Sequence, residues 1–429
     1  MPLDAEPNHP ASQTIVVVGG GIAGISAALE AAETGHDVVL IEKGPTLGGR
    51  VTRLNRYFPK LCHPTCGLEI NYQRIRKNPR LKVLTMCEPV KIDGKRGAFT
   101  LTVKRHPRFV DEKCTACGDC AKVATTEVPN PFNYGLDKVK AAYLPHEHAM
   151  PMRYVIAPEA IAAGEGEKLK AACKYGAIVP DEKETTFELK AGAIIWATGW
   201  KPYDAEKLDV YSYGHSPDII NNVEMERLAS HGGPTDGKIL RPSNGQPAKK
   251  VALIQCAGSR DNNHLPYCSR ICCLGSLKHA AYVREQYADA EVHIYYIDIR
   301  AHDKLEAFYA KVKADPQVKF IKSKPGHIRV GEDGRPLVCG ELTIDRQIYA
   351  EPYDLVVLAT GMQPSAAVEG MKPTIGLESD AYGFLVPKDH DTNDGIFSCG
   401  VAAGPLDVSM SVQSATAAAM KAVQAVRST

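Results

Sequence analysis

The chain has 429 residues, and its 51 Lys and Arg balance 50 Asp and Glu to give a formal net charge of +1. That length allows two or three domains, the balanced charge gives no sign of nucleic-acid binding, and no apolar run approaches the roughly 18–20 residues that span a bilayer. Because the start MPLDAEPNHPASQ also lacks the features of a signal peptide, we expect a soluble cytoplasmic protein, linked to a membrane only through a partner.

The first predicted elements lie in TIVVVGGGIAGISAALEAAETGHDVVLIEKG, which indicates a buried strand, a glycine turn, a helix and a second strand. Gly19, Gly21 and Gly24 have the GxGxxG spacing, which permits a tight turn, close approach of the backbone to a pyrophosphate, and helix–strand packing. The phosphates would meet the helix N-terminus, and Glu42 at the end of the second strand would bind ribose hydroxyls. This combination predicts a dinucleotide site rather than an ordinary glycine-rich turn.

The next loop indicates FAD as the dinucleotide. Lys43-Gly44-x-x-x-Gly48-Gly49-Arg50 resembles the segment of two-dinucleotide-binding flavoproteins that passes the FAD phosphates. Two later strand ends with the sequence Ala-Thr-Gly, and the strand Gly-IFSC-Gly near the end of the chain, resemble further FAD-contact segments of those proteins. At the end of that strand, those flavoproteins have Gly-Asp, and the Asp contacts the ribityl chain of FAD. This chain has Gly400-Val401 there, so backbone groups would make that contact. The predicted FAD contacts beyond the first motif are Lys43, Gly48, Gly49, Arg50, Ala197, Thr198, Gly199, Thr360, Gly361, Gly400 and Val401.

The pair Cys62-His-Pro-Thr-Cys66 allows three interpretations. Related flavoproteins often carry a redox disulfide soon after the Gly-Gly turn, but here Val51 and Thr52 occupy that place and the cysteines come later. The pair could form a flavin-coupled disulfide, remain as two buried thiols near the isoalloxazine, or ligate a cluster together with an outside partner. Cys62 and Cys66 are therefore candidate redox residues.

Residues 106–180 interrupt the α/β pattern and are predicted to be a loop-rich insertion. Cys114, Cys117 and Cys120 have the CxxCxxC spacing and resemble half of a bacterial ferredoxin. Position 124, where the fourth cysteine of that run would stand, is alanine, and the second half keeps only Cys173. Since the isolated cysteine of one ferredoxin half ligates the cluster of the other, we expect these four cysteines to hold one 4Fe–4S cluster.

Tetrahedral zinc is the competing interpretation of this set, because four thiolates also suit that ion. The compact CxxCxxC run favours iron–sulfur. A metal-free insertion is disfavoured, since the segment looks poor in hydrophobic residues that could hold three neighbouring thiols. Cys87, Cys339 and Cys399 stand alone and are predicted to be small core residues.

After a glycine- and proline-rich connection over 228–250, a second α/β segment begins with the predicted strand KKVALIQ. No GxGxxG follows it. Instead the strand leads into Cys256, Cys268, Cys272 and Cys273, of which the last three lie near a predicted helix start. A helix N-terminus favours thiolates and a negative cluster, and Arg260 and Arg270 could offset the remaining charge. Four thiols therefore stand where a nicotinamide cofactor would place its phosphates.

These residues carry a resemblance to a known family. The pattern strand-Q-C-x-G-S-R-D followed by P-Y-C-S-R-x-C-C resembles the A subunit of heterodisulfide reductase, as do GGGIAGISAALE, the ferredoxin-like insertion, PNPFNYGLDKVKAAYLPHEHAMPMRYVI and GVAAGPLDVSMSVQSA. The resemblance spans nearly the whole chain. It implies a second 4Fe–4S cluster beside the FAD, ligated by Cys256, Cys268, Cys272 and Cys273.

The resemblance implies a two-dinucleotide-binding α/β flavoprotein, of the glutathione/thioredoxin reductase type, with a small degenerate ferredoxin-like insertion. The expected division is residues 1–105, 181–245 and 366–429 for the FAD-binding domain and its linker, 106–180 for the insertion, and 246–365 for the second Rossmann-like domain. The chain lacks the extra ferredoxin repeats of the large methanogen protein, and its insertion keeps one cluster where the family has two.

In its length and its degenerate insertion, the chain is similar to the A subunit of the quinone-interacting membrane-bound oxidoreductase (Qmo) of sulfate reducers. This implies an electron-transfer subunit with one FAD and two 4Fe–4S clusters, sister B and C subunits that attach it peripherally to the membrane, and a soluble partner such as adenylylsulfate reductase. The heterodisulfide reductase-like subunit of sulfur oxidisers, or a methanogen-type subunit of thiol/disulfide metabolism, is the alternative within the family.

Two further functions are weighed against electron transfer. A stand-alone NAD(P)H-dependent flavin reductase would need a second GxGxxG, and a scaffold with decayed sites would not keep so many ligand-type residues. No Ser-His-Asp arrangement, HExxH or Walker A motif supports hydrolysis or phosphoryl transfer, and no residue is assigned as a catalytic acid or base. Lys278 and His279 are predicted to face solvent or a neighbouring subunit.

Overall fold

The computed structural model describes residues 13–369, 377–387 and 394–428, so the segment 1–12, part of the start that argued against a signal peptide, lies outside the described residues. The strands are β1 (Ile15–Val18), β2 (Val38–Glu42), β3 (Leu81–Thr85), β4 (Cys87–Lys95), β5 (Ala98–Arg105), β6 (Glu127–Pro129), β7 (Lys138–Lys140), β8 (Ala142–Tyr143), β9 (Val155–Ile156), β10 (Thr185–Ala191), β11 (Ala193–Trp196), β12 (Trp200–Pro202), β13 (Ile219–Asn221), β14 (Lys250–Ala257), β15 (Glu291–Tyr296), β16 (Val318–Lys322), β17 (His327–Val330), β18 (Pro336–Glu341), β19 (Ile348–Pro352), β20 (Leu355–Thr360), β21 (Met362–Pro364), β22 (Leu377–Ser379), β23 (Leu385–Pro387) and β24 (Ile396–Ser398).

The α-helices are α1 (Ile22–Glu33), α2 (Pro64–Lys77), α3 (Asp119–Val123), α4 (Pro158–Ala162), α5 (Gly166–Ala172), α6 (Asn222–Leu228), α7 (Cys272–Gln286), α8 (Leu305–Lys313), α9 (Ser365–Val368) and α10 (Val408–Arg427). Among the described residues, none of these helices combines the length and the apolar character needed to cross a membrane.

The chain divides into two compact units. The first comprises Met1–Thr52, Thr65–Trp200 and Pro364–Thr429, and the second comprises Arg53–Pro64 and Lys201–Gln363. The insertion belongs to the first unit. Residues 201–245, which we expected with the FAD-binding domain, belong to the second.

A parallel sheet with the order β24-β11-β1-β2-β3 forms the core of the first unit. Strand β1 reads Ile-Val-Val-Val and is buried throughout, as suits the centre of a parallel sheet covered on both faces. Helix α1 packs on α10, and both present alanines that are fully buried, which lets the two helices approach closely. The carboxyl ends of β1, β11 and β24 consequently meet at one edge of the sheet, where such folds bind their ligands.

The second unit has a parallel sheet of the same kind, with the order β13-β20-β14-β15-β16. Strand β14 lies in the middle and pairs with β20 and β15. Helix α7 follows it, and the antiparallel sheet β17-β18-β19 completes the unit. Helix α6 begins with a capping box between Asn221 and Glu224, a motif that stabilises a helix start by about 1 kcal/mol.

The insertion has an apolar core of its own, so the expectation that it is poor in hydrophobic support is wrong. Two short hairpins, β6-β7 and β8-β9, and helices α3, α4 and α5 surround this core. Most of its residues are small, which is why the sequence reads as weakly hydrophobic. They are Phe109, Val110, Cys120, Ala124, Val128, Ala141, Ala142, Ile156, Ala157, Ala160, Leu169, Ala177 and Ile178.

Candidate functional site

The glycine loop after β1 has two positions that the protein itself requires to be glycine and one that it does not. A Cβ on Gly19, whose φ is +107°, would lie 2.3 Å from the Ala197 carbonyl oxygen, and one on Gly24 would lie 1.7 Å from the Gly19 oxygen. Gly21 has an extended backbone with φ −71°, and a Cβ there would meet no atom of the described residues within 4 Å. The open space at Gly21 is where a ligand's phosphates would approach the backbone.

Helix α1 begins at this opening with uncapped amides, since Gly21 as its N-cap has no side chain to accept from them. The first-turn N–H groups of a helix lack intrahelical acceptors and attract anions. Glu42 holds the loop in place: one carboxylate oxygen accepts from Gly20 N at 2.6 Å and the other from Gly44 N at 2.6 Å. Because each carboxylate oxygen has a second lone pair, Glu42 can still accept from ribose hydroxyls.

The Lys43–Arg50 loop lies against the glycine loop at its Gly-Gly turn and at Leu47, which lies 2.5 Å from where a Cβ on Gly20 would be. Gly48 N donates to Gly20 O at 2.8 Å, and a Cβ on Gly49 would lie 2.9 Å from Gly21 Cα. The flanking cations have protein partners: Lys43 Nζ lies 2.9 Å from Glu88 and 3.3 Å from Glu369, and Arg50 donates to Trp200 O and Tyr134 OH.

The ends of β11 and β24 complete this edge of the sheet. Thr198 follows β11, and its hydroxyl is buried without a partner among the described residues. Gly400, with φ +61°, lies against α1, since a Cβ there would be 2.6 Å from Ala23 Cβ. The open glycine turn, the uncapped helix start and the unpartnered hydroxyl fit a dinucleotide such as FAD. Of the other predicted contacts, Ala197, Gly199 and Val401 lie at this edge.

Thr360 and Gly361, also predicted as FAD contacts, lie in the second unit and contact its own residues. Thr360 Oγ1 donates to Asn222 Oδ1 at 2.9 Å. A Cβ on Gly361 would lie 2.2 Å from Ser259 Oγ and 2.7 Å from Ser269 Oγ, because the loop 258–271 fills the space beside the ends of β14 and β20. In an ordinary dinucleotide domain, that space holds the pyrophosphate.

The second cysteine set lies at this filled edge. Cys256 occupies a bulge in β14, where the pairing with β20 shifts register and φ is +55°. Cys272 and Cys273 form the first turn of α7, as predicted, whereas Cys268 lies in the preceding loop. Cys256, Cys272 and Cys273 are 4%, 5% and 6% exposed. The strand end and the helix start thus bring residues from two elements into one buried group.

Burial raises the pKa of each of these three thiols, to about 11 for Cys273. For Cys272, the charges of the other three cysteines raise the pKa further. The four thiols therefore lie within electrostatic range of one another. Since a coordinated metal deprotonates its thiol ligands outright, bound iron would offset the raised pKa values of Cys256, Cys272 and Cys273.

Hydrogen-bond donors surround the set. The backbone amides of Arg270 and Arg300 each lie 3.4 Å from a sulfur, of Cys268 and Cys273 respectively. The positive charge of Arg260 opposes the effect of burial on the pKa of Cys256, and its guanidinium also binds Asp298 at 2.6 Å. Amide N–H groups directed at sulfur are typical of iron–sulfur sites, so the donor chemistry fits a cluster.

In the insertion, Cys120 belongs to the apolar core, and Cys114 and Cys173 pack against that core. Burial raises the pKa of Cys120 to about 11, and the charges of Cys114 and Cys117 add to the effect. Amides again approach sulfur: Ala177 N lies 3.4 Å from Cys173. Throughout the described ranges, no three His, Cys, Asp or Glu side chains are arranged to hold a metal ion; the four-thiol composition of each set fits iron–sulfur ligation.

A carboxylate stabilises the segment that follows the missing fourth cysteine. Glu165 accepts hydrogen bonds from the backbone amides and the hydroxyls of both Thr125 and Thr126. These bonds, led by the Thr126 hydroxyl, lower the pKa of Glu165 to about 2. Ala124 beside them is buried in the apolar core. Small apolar side chains and one carboxylate therefore hold the part of the insertion where a ferredoxin would continue its ligand run.

Cys62 and Cys66 are both exposed and carry free thiols. The interpretation as two buried thiols is therefore wrong for this chain. Cys66 lies in the first turn of α2 and Cys62 in the segment before it. The isolated cysteines Cys87, Cys339 and Cys399 are buried, which confirms the prediction made for them.

Lys278 and His279 are 3% and 2% exposed, so the prediction that they face outward is wrong. Both contact the buried carboxylate of Glu226 on α6, at 2.8 Å from Lys278 Nζ and 2.5 Å from His279 Nε2. Burial alone would raise the pKa of Glu226, but these two groups outweigh it and lower the pKa. The network also fixes the 53–64 segment, because Asn55 N donates to Glu226 at 2.9 Å and Lys278 donates to Arg56 O at 2.7 Å.

The insertion and the Lys43–Arg50 loop share hydrogen bonds that the sequence did not reveal. Leu47 N donates to Met150 O at 2.8 Å. Arg108, which is 4% exposed, donates to Pro45 O at 2.7 Å. Burial lowers the pKa of this guanidinium to about 10. It also donates to the insertion carbonyls of Arg153 and Tyr154 and to the Thr85 hydroxyl.

Comparisons with known proteins agree with this arrangement. Residues 14–75 match a family model described as FAD dependent oxidoreductase. The fold is similar to the thioredoxin reductases of T. acidophilum (TM-score 0.53, 14% identity, 97% of this chain and 98% of that one) and Lactococcus lactis (0.52, 14%, 97% and 100%). The fold is thus that of a two-dinucleotide-binding flavoprotein, as predicted, and it defines the class of a FAD-dependent oxidoreductase.

Sequence relatives identify the family. The chain is 38% identical to the A subunit of the Ferredoxin/F(420)H(2)-dependent CoB-CoM heterodisulfide reductase of Methanosarcina acetivorans, over 97% of this chain and 54% of the relative. It is 37% identical to the second iron-sulfur A subunit of the CoB–CoM heterodisulfide reductase of Methanopyrus kandleri, over 96% and 64%. The chain spans between about half and two thirds of the length of these relatives. Over that shared length, it belongs to the family of heterodisulfide reductase A subunits.

Proposed function

We propose that this chain is the FAD- and 4Fe–4S-containing electron-transfer subunit of a heterodisulfide reductase-like complex, in the Qmo branch. It assembles with sister subunits, one of them membrane-bound, and attaches peripherally to the membrane through them. Electrons pass between the quinone-linked subunits and a soluble partner such as adenylylsulfate reductase. Bound FAD exchanges electrons in pairs and the clusters exchange them singly, so one chain joins both kinds of transfer.

The observation that carries the proposal is the filled edge of the second sheet. In a self-contained reductase, the space after β14 would bind the nicotinamide cofactor. Here Ser259 Oγ and Ser269 Oγ lie 3.0 Å apart within it, and Cys256 and Cys272 line it with buried thiols. This edge favours an iron–sulfur cluster as the exchange partner of the flavin.

The chain's own residues would bind and separate the two kinds of group. The start of α1 and the Gly19–Gly24 turn bind the FAD pyrophosphate, and the end of β11 encloses it. The two cysteine sets hold one cluster each, and burial excludes water from most of the second. The degenerate half of the insertion, with Ala124 and Glu165, supports the branch, because it leaves ligands for a single cluster there.

Anaerobic purification with flavin, iron and sulfide analysis tests the cofactor assignment. We expect one FAD and about eight irons per chain, from two cubane sites. About four irons would show that one cysteine set is misassigned, and zinc without sulfide would refute the insertion assignment. A colourless protein would instead support a scaffold.

Two activity measurements separate the rival functions. The purified chain should not oxidise NADH or NADPH. Steady oxidation of either would support the rival function, a stand-alone NAD(P)H-dependent flavin reductase. With its sister subunits in lipid vesicles, the chain should support electron transfer between a quinol and adenylylsulfate reductase. Transfer to a thiol disulfide instead would place it with the methanogen-type or sulfur-oxidation branch.

A further inference from the structure

Gln255 is a buried amide beside the second cysteine set with half of its hydrogen-bonding capacity unused. It directly precedes Cys256 on β14 and is 2% exposed. Its Oε1 lies 3.3 Å from Cys273 Sγ, while its Nε2 has no hydrogen-bond partner among the described residues. A buried donor without an acceptor costs about 1–3 kcal/mol, so its retention at this position requires a reason.

The bulge at the end of β14 explains how Gln255 reaches the cysteines. In a regular strand, neighbouring side chains point to opposite faces. The register shift after Ile254 and the positive φ of Cys256 break this alternation at the end of β14. Gln255 is buried there, and its side chain contacts Cys273 at the start of α7.

The contact depends on the state of the sulfur. A protonated Cys273 can donate to Gln255 Oε1 at 3.3 Å or to the Asp298 carbonyl oxygen at 3.7 Å. A cluster-bound thiolate has no proton to donate and would face a carbonyl dipole of the wrong sign. Rotation of the amide by half a turn exchanges Oε1 and Nε2, which occupy nearly equivalent positions. It would place Nε2 about 3.3 Å from Cys273 Sγ. The two backbone amides nearby lie at a similar distance, 3.4 Å, from their sulfurs.

We propose that Gln255 donates an N–H···S hydrogen bond to the Cys273 thiolate of the second-unit cluster and raises the reduction potential of that cluster. This inference rests on the proposed function, since it requires a cluster at these cysteines. A donor to a cluster sulfur stabilises the more negative, reduced state, because hydrogen bonding favours the more highly charged form. Gln255 is therefore a positioning and tuning residue, and it acts through Cys273.

The test is Gln255→Met, which keeps the length and approximate volume of the side chain and removes both polar groups. In an EPR-monitored redox titration, the equilibrium constant for reduction of the second-unit cluster should fall about tenfold. This corresponds to a reduction potential lower by ~59 mV for one electron. The insertion cluster in the same molecule serves as the internal control and should not change. Gln286→Met is the matched substitution at the other end of α7, and it should leave both clusters unchanged.

An unchanged potential in a fully loaded Gln255→Met protein would overturn the proposal, as would an equal shift of both clusters. If that variant fails to bind its second-unit cluster, the hydrogen bond is tested in the wild-type protein instead. With glutamine labelled by ¹⁵N in the side chain, pulsed EPR of the reduced second-unit cluster should show a coupling to the amide nitrogen, and its absence would refute the bond. Iron analysis of the wild type separates this outcome from failure of the proposed function, which would show no second cluster at all.

Discussion

The carboxyl ends of β1 and β14 occupy equivalent places in two similar sheets, yet they differ in what they leave open. After β1, three glycines lead directly into α1, and the space at Gly21 is empty of protein atoms. After β14, the long loop 258–271 intervenes, fills the space with side chains, and directs thiols into it. The comparison shows that one strand–loop–helix framework presents backbone amides at one edge and buried thiols at the other, depending on the loop.

The helices that follow differ in the same way. Helix α1 is held against α10 by small apolar side chains, with Ala27, Ala28 and Ala31 fully buried. Helix α7 buries Lys278 and His279 against Glu226. The helix that begins at Cys272 is thus anchored by charges, and the helix that follows the glycine turn is anchored by close packing.

The comparison predicts that the thiols at the second edge are needed for one cluster only. Cys272→Ala should remove that cluster completely and lower the iron content from about eight to about four per chain, with FAD retained. Metal analysis and the flavin absorbance measure this. Cys339→Ala, an equally buried cysteine of the second unit outside the set, is the control. Loss of FAD together with the iron would show that the two edges are not independent.

Charge anchoring of α7 predicts a large local effect on stability. Lys278→Met leaves the Glu226 carboxylate buried with fewer partners, so the opening free energy of α7 amides should fall by about 3 kcal/mol. Native-state hydrogen exchange on the holoprotein measures it. The double variant Lys278→Met with Glu226→Leu should recover part of the loss: the apolar pair needs no charge compensation, while Asn55 N and His279 Nε2 lose their acceptor. A double variant as unstable as the single one would contradict this explanation.

The open space at Gly21 predicts the smallest of the three effects, a loss of FAD affinity. Gly21→Ala adds a methyl group that meets no protein atom, so folding should be unaffected, but the methyl would occupy the approach to the phosphates. We expect FAD to bind at least tenfold more weakly, a loss of about 1.4 kcal/mol, measured as faster release of FAD from the holoprotein. Gly67→Ala on α2, where a Cβ is equally unobstructed, should leave FAD release unchanged; equal acceleration by both would contradict the assignment.

The features that sequence predicts well are local in the chain. The Gly19–Gly24 turn and the helix start at Cys272 follow from spacing within a few residues, and Glu42 follows from its place at the end of the next strand. Contacts between residues distant in the sequence cannot be predicted in this way. Nothing near Lys278 indicates that it will be buried against Glu226, 52 positions earlier in the sequence. The core of the insertion escaped notice for another reason: its alanines are weak hydrophobic signals individually, and they exclude water only when they are packed together.

The bonds between the insertion and the Lys43–Arg50 loop have a consequence for protein engineering. Excising residues 106–180 as a cassette would leave Leu47 N and Pro45 O without their partners, right beside the turn that approaches Gly21. A chain shortened in this way would have to be redesigned at the Lys43–Arg50 loop. A transplant of the segment into another protein would likewise have to carry this loop with it.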